Sequence, residues 1–508
     1  MRSVIILLPF RVLPGSQLTV DTPSAIAKSI AASDGSNVTV ASGNVLNLTD
    51  YVINESAAGD FVVEHGAELI QSNDFAVNSG AITVEKDFDL SEDRDQFNFT
   101  ISPVTGQKMQ NIYAGMPLVY EYDETQSDFV DAGEGDYVAG KGFAVEEPSE
   151  AAVSDGVVTA VMQGVPYNGI LGYPLSYTSS TALPGLNLVG NPYPSKLDIA
   201  QLYAENETKI TPSFLFWNGS SDDYSIYNVY TGTGNAAPAS FGSSVIPTSD
   251  VNSGDAFMVR AQATADGSNL NFFNSYRNVG EASSDTKDRY WLTMRTPDNT
   301  AIMSSVVYFE GGNDEFWIDD SETTGNAVDF YSLAEGEQLA IQGRAPFVSK
   351  DRVPFGVRLD VAGVYIISIH DMEGVFEEGQ TLFIRDKYLK LIYDLSSGPY
   401  KFVGRPGEVN DRFEIIYRKP VLNPDDAIAI FAGVSINKIN HHIVASSIGA
   451  QIEKVEVFNL MGTDVYTQKN VRSLTHKFPT SMFSNQIIVV RVTTVDGEVV
   501  TKKFVNLK

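Results

Sequence analysis

Five residues between positions 217 and 228, namely Trp217, Asn218, Tyr224, Tyr227 and Asn228, combine aromatic faces with side-chain amides. Phe216, Asp222, Asp223 and Tyr230 stand beside them. Rings stack on sugar faces, and an amide both donates and accepts, so it matches vicinal hydroxyls without carrying charge. This is the chemistry of a glycan-binding platform. More often such a set of residues is the core of a β-sandwich.

A second group is acidic. Asp314/Glu315 and Asp319/Asp320 flank Phe316-Trp317-Ile318, an arrangement that suits a sugar site or a strand with acidic ends. Glycoside hydrolysis needs two carboxylates roughly 5–10 Å apart in a cleft, one of them with a raised pKa. Acids are too plentiful here for sequence to test that requirement. The acid pairs are expected to face solvent or an ion rather than to lie buried at the bottom of a cleft. Calcium takes about six to eight oxygens from flexible loops. "EYDETQSDFVDAGEGDY" and "GGNDEFWIDDSETTGN" offer such loops, with Asp131, Asp136, Asp319 and Asp320 as candidate ligands. Neither matches a D-x-D-x-D-G loop, and calcium is the one cofactor the sequence suggests.

Other chemistry is not legible. The five histidines are His65, His370, His441, His442 and His476, and no G-x-S-x-G elbow surrounds any serine. There is no phosphate-cradling or dinucleotide motif. No cysteine is present, which excludes disulfides, thiolate chemistry and Cys-based metal sites. No residue is assigned a catalytic role, and the chain is read as a non-enzyme.

The elements that must position these groups are strands. Hydrophobic residues make up 43% and aromatics 11% of 508 residues, enough for several cores. Val, Ile, Thr, Tyr and Phe dominate while Glu/Lys-rich helical stretches are nearly absent, so the chain is all-β. Sixty-four acids against thirty-five bases give a net charge of −29. That argues against nucleic acid and against anionic lipid as partners. No apolar run reaches the ~18–20 residues needed to span a bilayer. Val4–Phe10 is apolar but is interrupted by Pro9 and Arg11, a poor signal peptide. The expectation is therefore a chain truncated from a longer protein, the alternative being an atypical signal.

Four segments are expected. Residues 1–88 carry short β triplets, Leu18-Thr19-Val20, Val38-Thr39-Val40, Phe61-Val62-Val63 and Ile82-Thr83-Val84, whose starts lie 20, 23 and 21 residues apart. That period suggests β-solenoid rungs, with a helix over 24–32 after Asp21 and Thr22 as a cap. Residues 89–280 and 281–419 read as two β-sandwich domains. Asn191-Pro192-Tyr193-Pro194 must be extended, and Asp198 can cap a short helix from Ile199. Val364–Ile369 is apolar on both faces and is expected between two layers. Residues 424–508 form the last segment.

This tail reverses the charge. From Asn423 it holds nine Lys/Arg against seven Asp/Glu, a net of +2. Strand-like runs alternate with turns at Met461-Gly462 and Asp496-Gly497, and the second is a strong hairpin signal. "KVEVFNLMGTDVY" and "SNQIIVVRVTTVDGEVVTKKFV" resemble the sorting domain that delivers proteins to the type IX secretion system of Bacteroidetes, in its type C form. "GLNLVGNPYPSKLDIAQL" and "NDRF" resemble a domain found upstream of such signals in secreted flavobacterial proteins. The resemblance implies a small immunoglobulin-like sandwich read by the translocon. Gly462, Asn485, Gln486, Asp496, Gly497, Lys502 and Lys503 would be its signal residues. Both glycines are expected at positive φ. It implies a protein exported through the periplasm to the outer-membrane surface or the medium, acting as an adhesin or glycan-binding protein. The alternative is the accessory end of a larger secreted hydrolase.

Overall fold

A computed structural model describes residues 4–89, 97–115, 117–146, 153–154, 156–277, 287–418, 434–439, 441–447, 450–459, 461–483, 486–495, 497 and 499–506. Among the described residues the chain is all-β apart from one α-helix and short 3-10 turns. It divides into two compact units, 1–237 with 245–284, and 238–244 with 285–508.

The first unit begins as a solenoid. The four triplets stack in parallel register: Leu18, Thr19 and Val20 lie on Val38, Thr39 and Val40, which lie on Phe61, Val62 and Val63. Val62 and Val63 in turn lie on Thr83 and Val84. Each rung contributes a second strand to an opposite parallel sheet: Val4–Val12, Ala25–Ala32, Val45–Leu48 with Val52–Asn54, and Glu68–Gln71. Inward residues such as Val38, Val40, Phe61 and Leu69 are fully buried between the two sheets. Each such side chain contributes about 1.5–3 kcal/mol. Gly35 and Gly43 turn the chain between sheets at φ +72° and +75°, where a side chain would be strained.

The expected helix over 24–32 is therefore a strand. Ala25–Ala32 lies between Val4–Val12 and the strands of the next rung, and alternate positions Ile30 and Ala32, with Ala27, are buried in the core. Ladder pairing on both sides outweighs the weak helical preference of Ala, Lys and Ser. The boundary expected at 88 also dissolves. Ile82–Asp89 pairs antiparallel with Val157–Pro166, which pairs with Val104–Thr105, so later residues end the parallel stack. The other sheet's edge, Glu68–Gln71, is covered by the extended Asn191-Pro192-Tyr193-Pro194 segment. Leu69 N donates to Pro194 O (2.8 Å) and Lys196 N to Glu68 Oε2 (3.0 Å). Covering an edge in this way removes a template for aggregation.

A sandwich follows. The sheet of Phe97–Thr100, Phe143–Glu146, Val119–Asp123 and Asp128–Asp131 shares a core with Leu186–Gly190, Ala256–Ala261 and Ile210–Asn218. Asp223–Asn228 and Thr233–Asn235 extend the second sheet. Asp198 caps the helix Ile199–Asn206 by accepting from Ala200 N (2.9 Å), as expected.

The second unit holds a sandwich made by one sheet folded over on itself. Its path runs from Leu391–Asp394 through Gly407–Ile416, Arg352–Leu359 and Thr300–Tyr308 to Gly363–Glu373 and Tyr400–Gly404. Phe402 from one end meets Phe413 near the other, ring centroids 4.8 Å apart. In Gly363–Glu373, Tyr365 and Ile367 are buried while Val364 is exposed, so one face rather than both is covered. Antiparallel neighbours on each side leave its outer face to solvent.

Among the described residues the tail is a seven-stranded immunoglobulin-like sandwich. Val434–Ile439, His442–Ser447 and Thr475–Pro479 form one sheet; Asp464–Ser473, Ile452–Asn459, Gln486–Thr494 and Val499–Asn506 form the other. Ile436, Ile443, Val455, Val457, Phe478 and Val490 close a core of its own. Gly462 and Gly497 have φ +79° and +91°, in the turns where the sequence placed them.

Candidate functional site

The aromatic segment does not form one platform. Trp217 and Tyr224 pair across adjacent strands and turn toward the four-stranded sheet, where Trp217 stacks on Phe99 at 5.5 Å. Its Nε1 donates to Phe97 O (2.9 Å). Phe216 and Tyr227 take the opposite face by strand alternation, and Phe216 packs on Phe257. The amides are engaged as well. Asn218 Oδ1 accepts from Ser220 N (3.1 Å), and Asn228, fully buried, accepts from Tyr230 N and Thr231 N. Sequence neighbours are thus divided between two faces, and the half-buried Trp217 is core.

The acidic loops are likewise built into the fold. Asp131 Oδ1 accepts from Gly133 N (2.7 Å), and Asp136 pairs with Lys108 at 3.4 Å. Glu124, in the same stretch, is buried, and its Oε1 accepts from both Thr178 N and Gly185 N at 2.8 Å. It anchors a loop from within. Among the described residues no three acidic or histidine side chains converge as a metal cluster.

Asp319 and Asp320 overturn the expectation of solvent-facing acids. They are 0% and 6% exposed. Asp319 Oδ2 accepts from Asn313 N (2.8 Å), and Asp320 accepts from Trp317 N (2.9 Å) and Gly343 N (3.0 Å). Both carboxylates lie against the strand Glu337–Arg344, and only glycine at 343 leaves room: a Cβ there would come within 2.5 Å of Asp319 Cβ. Burial pushes both carboxyls up, Asp320 to about 7, with the neighbouring Asp319 charge adding and the backbone donors opposing.

These buried acids display an exposed turn. Asn313 Oδ1 accepts from Glu315 N (3.1 Å), Asp314 Oδ1 from Ala345 N (3.2 Å), and Asp314 lies 3.4 Å from Arg344 Nη2. Arg344 is held in turn by a bidentate pair with Asp351 at 2.9 and 3.0 Å. At the tip, Phe316 and Trp317 face solvent. The sequence placed this aromatic pair between acids; its exposure and the burial of the second acid pair were not legible.

An open cleft of about 760 Å³ lies elsewhere in the second unit, with Lys401, Arg405, Arg412 and Lys477 among its lining. Arg412 is engaged by Asp386 (2.8 Å). Glu408, on the same lining, is held below the usual carboxylate range by Gln338, Asn410 and Arg358, which suits ion pairing rather than proton donation.

Of the residues expected to form a sorting signal, Gln486, Lys502 and Lys503 sit on paired strands, with Lys502 Nζ donating to Asn437 Oδ1 (3.1 Å). Asn485 and Asp496 lie outside the described residues.

Comparison with curated proteins finds no match. Residues 422–506 match a family model described as a domain of unknown function (DUF8694). Residues 11–417 match another of the same description (DUF8693), and the chain belongs to that family.

Proposed function

We propose that the protein is exported by the type IX secretion system through residues 424–508 and acts at the cell surface or in the medium as an adhesin or glycan-binding protein of Bacteroidetes. The observation that carries this reading is the self-contained tail. It has its own two-sheet core, a charge opposite in sign to the rest of the chain, and a family match of its own. Such a module can be read by a translocon without the body taking part. Deleting 423–508 should leave the body folded and retained in the periplasm of a host with this secretion system. Undiminished surface or medium levels of the deleted form would end the reading.

A further inference from the structure

Of the three tryptophans, Trp291 is 5% exposed and Trp217 lies between sheets, whereas Trp317 is 63% exposed with Phe316 beside it at 38%. Leaving a large ring in water forgoes the hydrophobic stabilisation of burying it. Collapse of the turn would recover it, and the fold prevents collapse. Asp320 grips both polar groups of the Trp317 backbone, its Oδ2 accepting from Trp317 N (2.9 Å) and its own N–H donating to Trp317 O (3.1 Å). Gly312, where a Cβ would meet Arg344 O at 2.1 Å, packs the other limb of the turn directly on the strand behind. The ring is therefore presented by a turn tied to a strand on both limbs, so little ordering remains to be done on binding.

We propose that the 313–318 turn is a carbohydrate-binding site in which Trp317, assisted by Phe316, stacks on the apolar face of a neutral pyranose. The C–H bonds on that face meet the negative face of the indole. The exposed carboxylate of Glu315 and the partly paired one of Asp314 accept from vicinal hydroxyls beside the ring. The exposed Glu315, immediately before the two rings in the turn, adds negative charge there, which selects against carboxylated or sulfated polymers and anionic lipid. The site rests on the adhesive part of the reading above and is independent of export.

The test uses the purified full chain on immobilised neutral β-glucan, mannan and cello-oligosaccharides, with alginate, heparin and anionic vesicles as controls. The parent should bind at least one neutral glycan. Trp317→Ala should weaken that binding about tenfold or more, Phe316→Ala by less, and Trp317→Phe should restore part of it. The melting temperature should stay unchanged, because the ring is exposed. Parent binding that survives Trp317→Ala would overturn this site while leaving the glycan-binding reading intact. A parent that binds only alginate or heparin would overturn the neutral-pyranose site while leaving glycan binding standing, and a parent that binds none of these glycans would overturn both.

Discussion

Asp320 and Trp317 bond reciprocally through three-residue spacing: the Asp320 side chain accepts from the Trp317 N–H at 2.9 Å, and its main chain donates to the Trp317 carbonyl at 3.1 Å. The second carboxylate oxygen accepts from Gly343 N at 3.0 Å, so one buried acid ties the exposed turn to the sheet.

Asp320→Asn replaces one of these acceptors by a donor facing an N–H, and should cost about 1–3 kcal/mol. Faster amide exchange across 313–320 is the readout. The pH dependence has a definite sign. The folded carboxyl, pushed up to about 7 from 3.8, keeps a proton that the unfolded chain has already released. Its contribution therefore makes stability fall as pH rises from about 4 to 7. The difference in melting temperature between pH 4.5 and 7.5 should shrink in the Asn variant. An unchanged difference would show that Asp320 does not titrate there.

A second prediction concerns Arg277, which is fully buried. Its guanidinium donates to Ser195 Oγ (2.8 Å), Asn274 Oδ1 (3.2 Å) and Leu69 O, and lies 4.8 Å from the Tyr193 ring. Burial lowers its pKa to about 10, with the Tyr193, Glu68 and Asp74 charges opposing. It therefore stays charged at neutral pH while joining the last solenoid rung to the following sandwich. Arg277→Met should strand three acceptors and destabilise by about 3–5 kcal/mol. Arg277→Lys should rescue little, because a point charge cannot reach all three. Thermal unfolding is the measurement; a Met variant melting within a degree or two of the parent would remove this role.

What could be read in advance follows from how each signal is encoded. The solenoid triplets were legible because stacking repeats the same apolar face every twenty-odd residues. Their partner Ala25–Ala32 was not, because Ala, Lys and Ser carry no strand preference and pairing alone makes the strand. The tail's hairpins announced themselves through Gly462 and Gly497, whose positive φ is a local property. The glycan platform failed for a geometric reason. Phe216 and Trp217 are adjacent in sequence and opposite in space. Asp319 and Asp320 went unrecognised because acids are rarely buried, and only the approach of Gly343 makes their site.

The last prediction lies in the tail, where Tyr466 OH meets His476 Nε2 at 2.8 Å and both rings pack on Phe478. The pair links the two sheets, since Tyr466 belongs to Asp464–Ser473 and His476 to Thr475–Pro479. Burial lowers the His476 pKa below 6.5. Below that value the unfolded chain takes up a proton that the folded imidazole resists, so the tail should lose stability as pH falls through about 6.5 and below. His476→Gln keeps a polar partner for Tyr466 without a titrating ring, and should remove most of that loss. Tail-specific amide exchange at pH 7.5 and 5.5 measures it in the full chain. If His476 titrates at or above 6.5 by NMR, or the Gln variant loosens with acid as the parent does, the ring is not the group responsible.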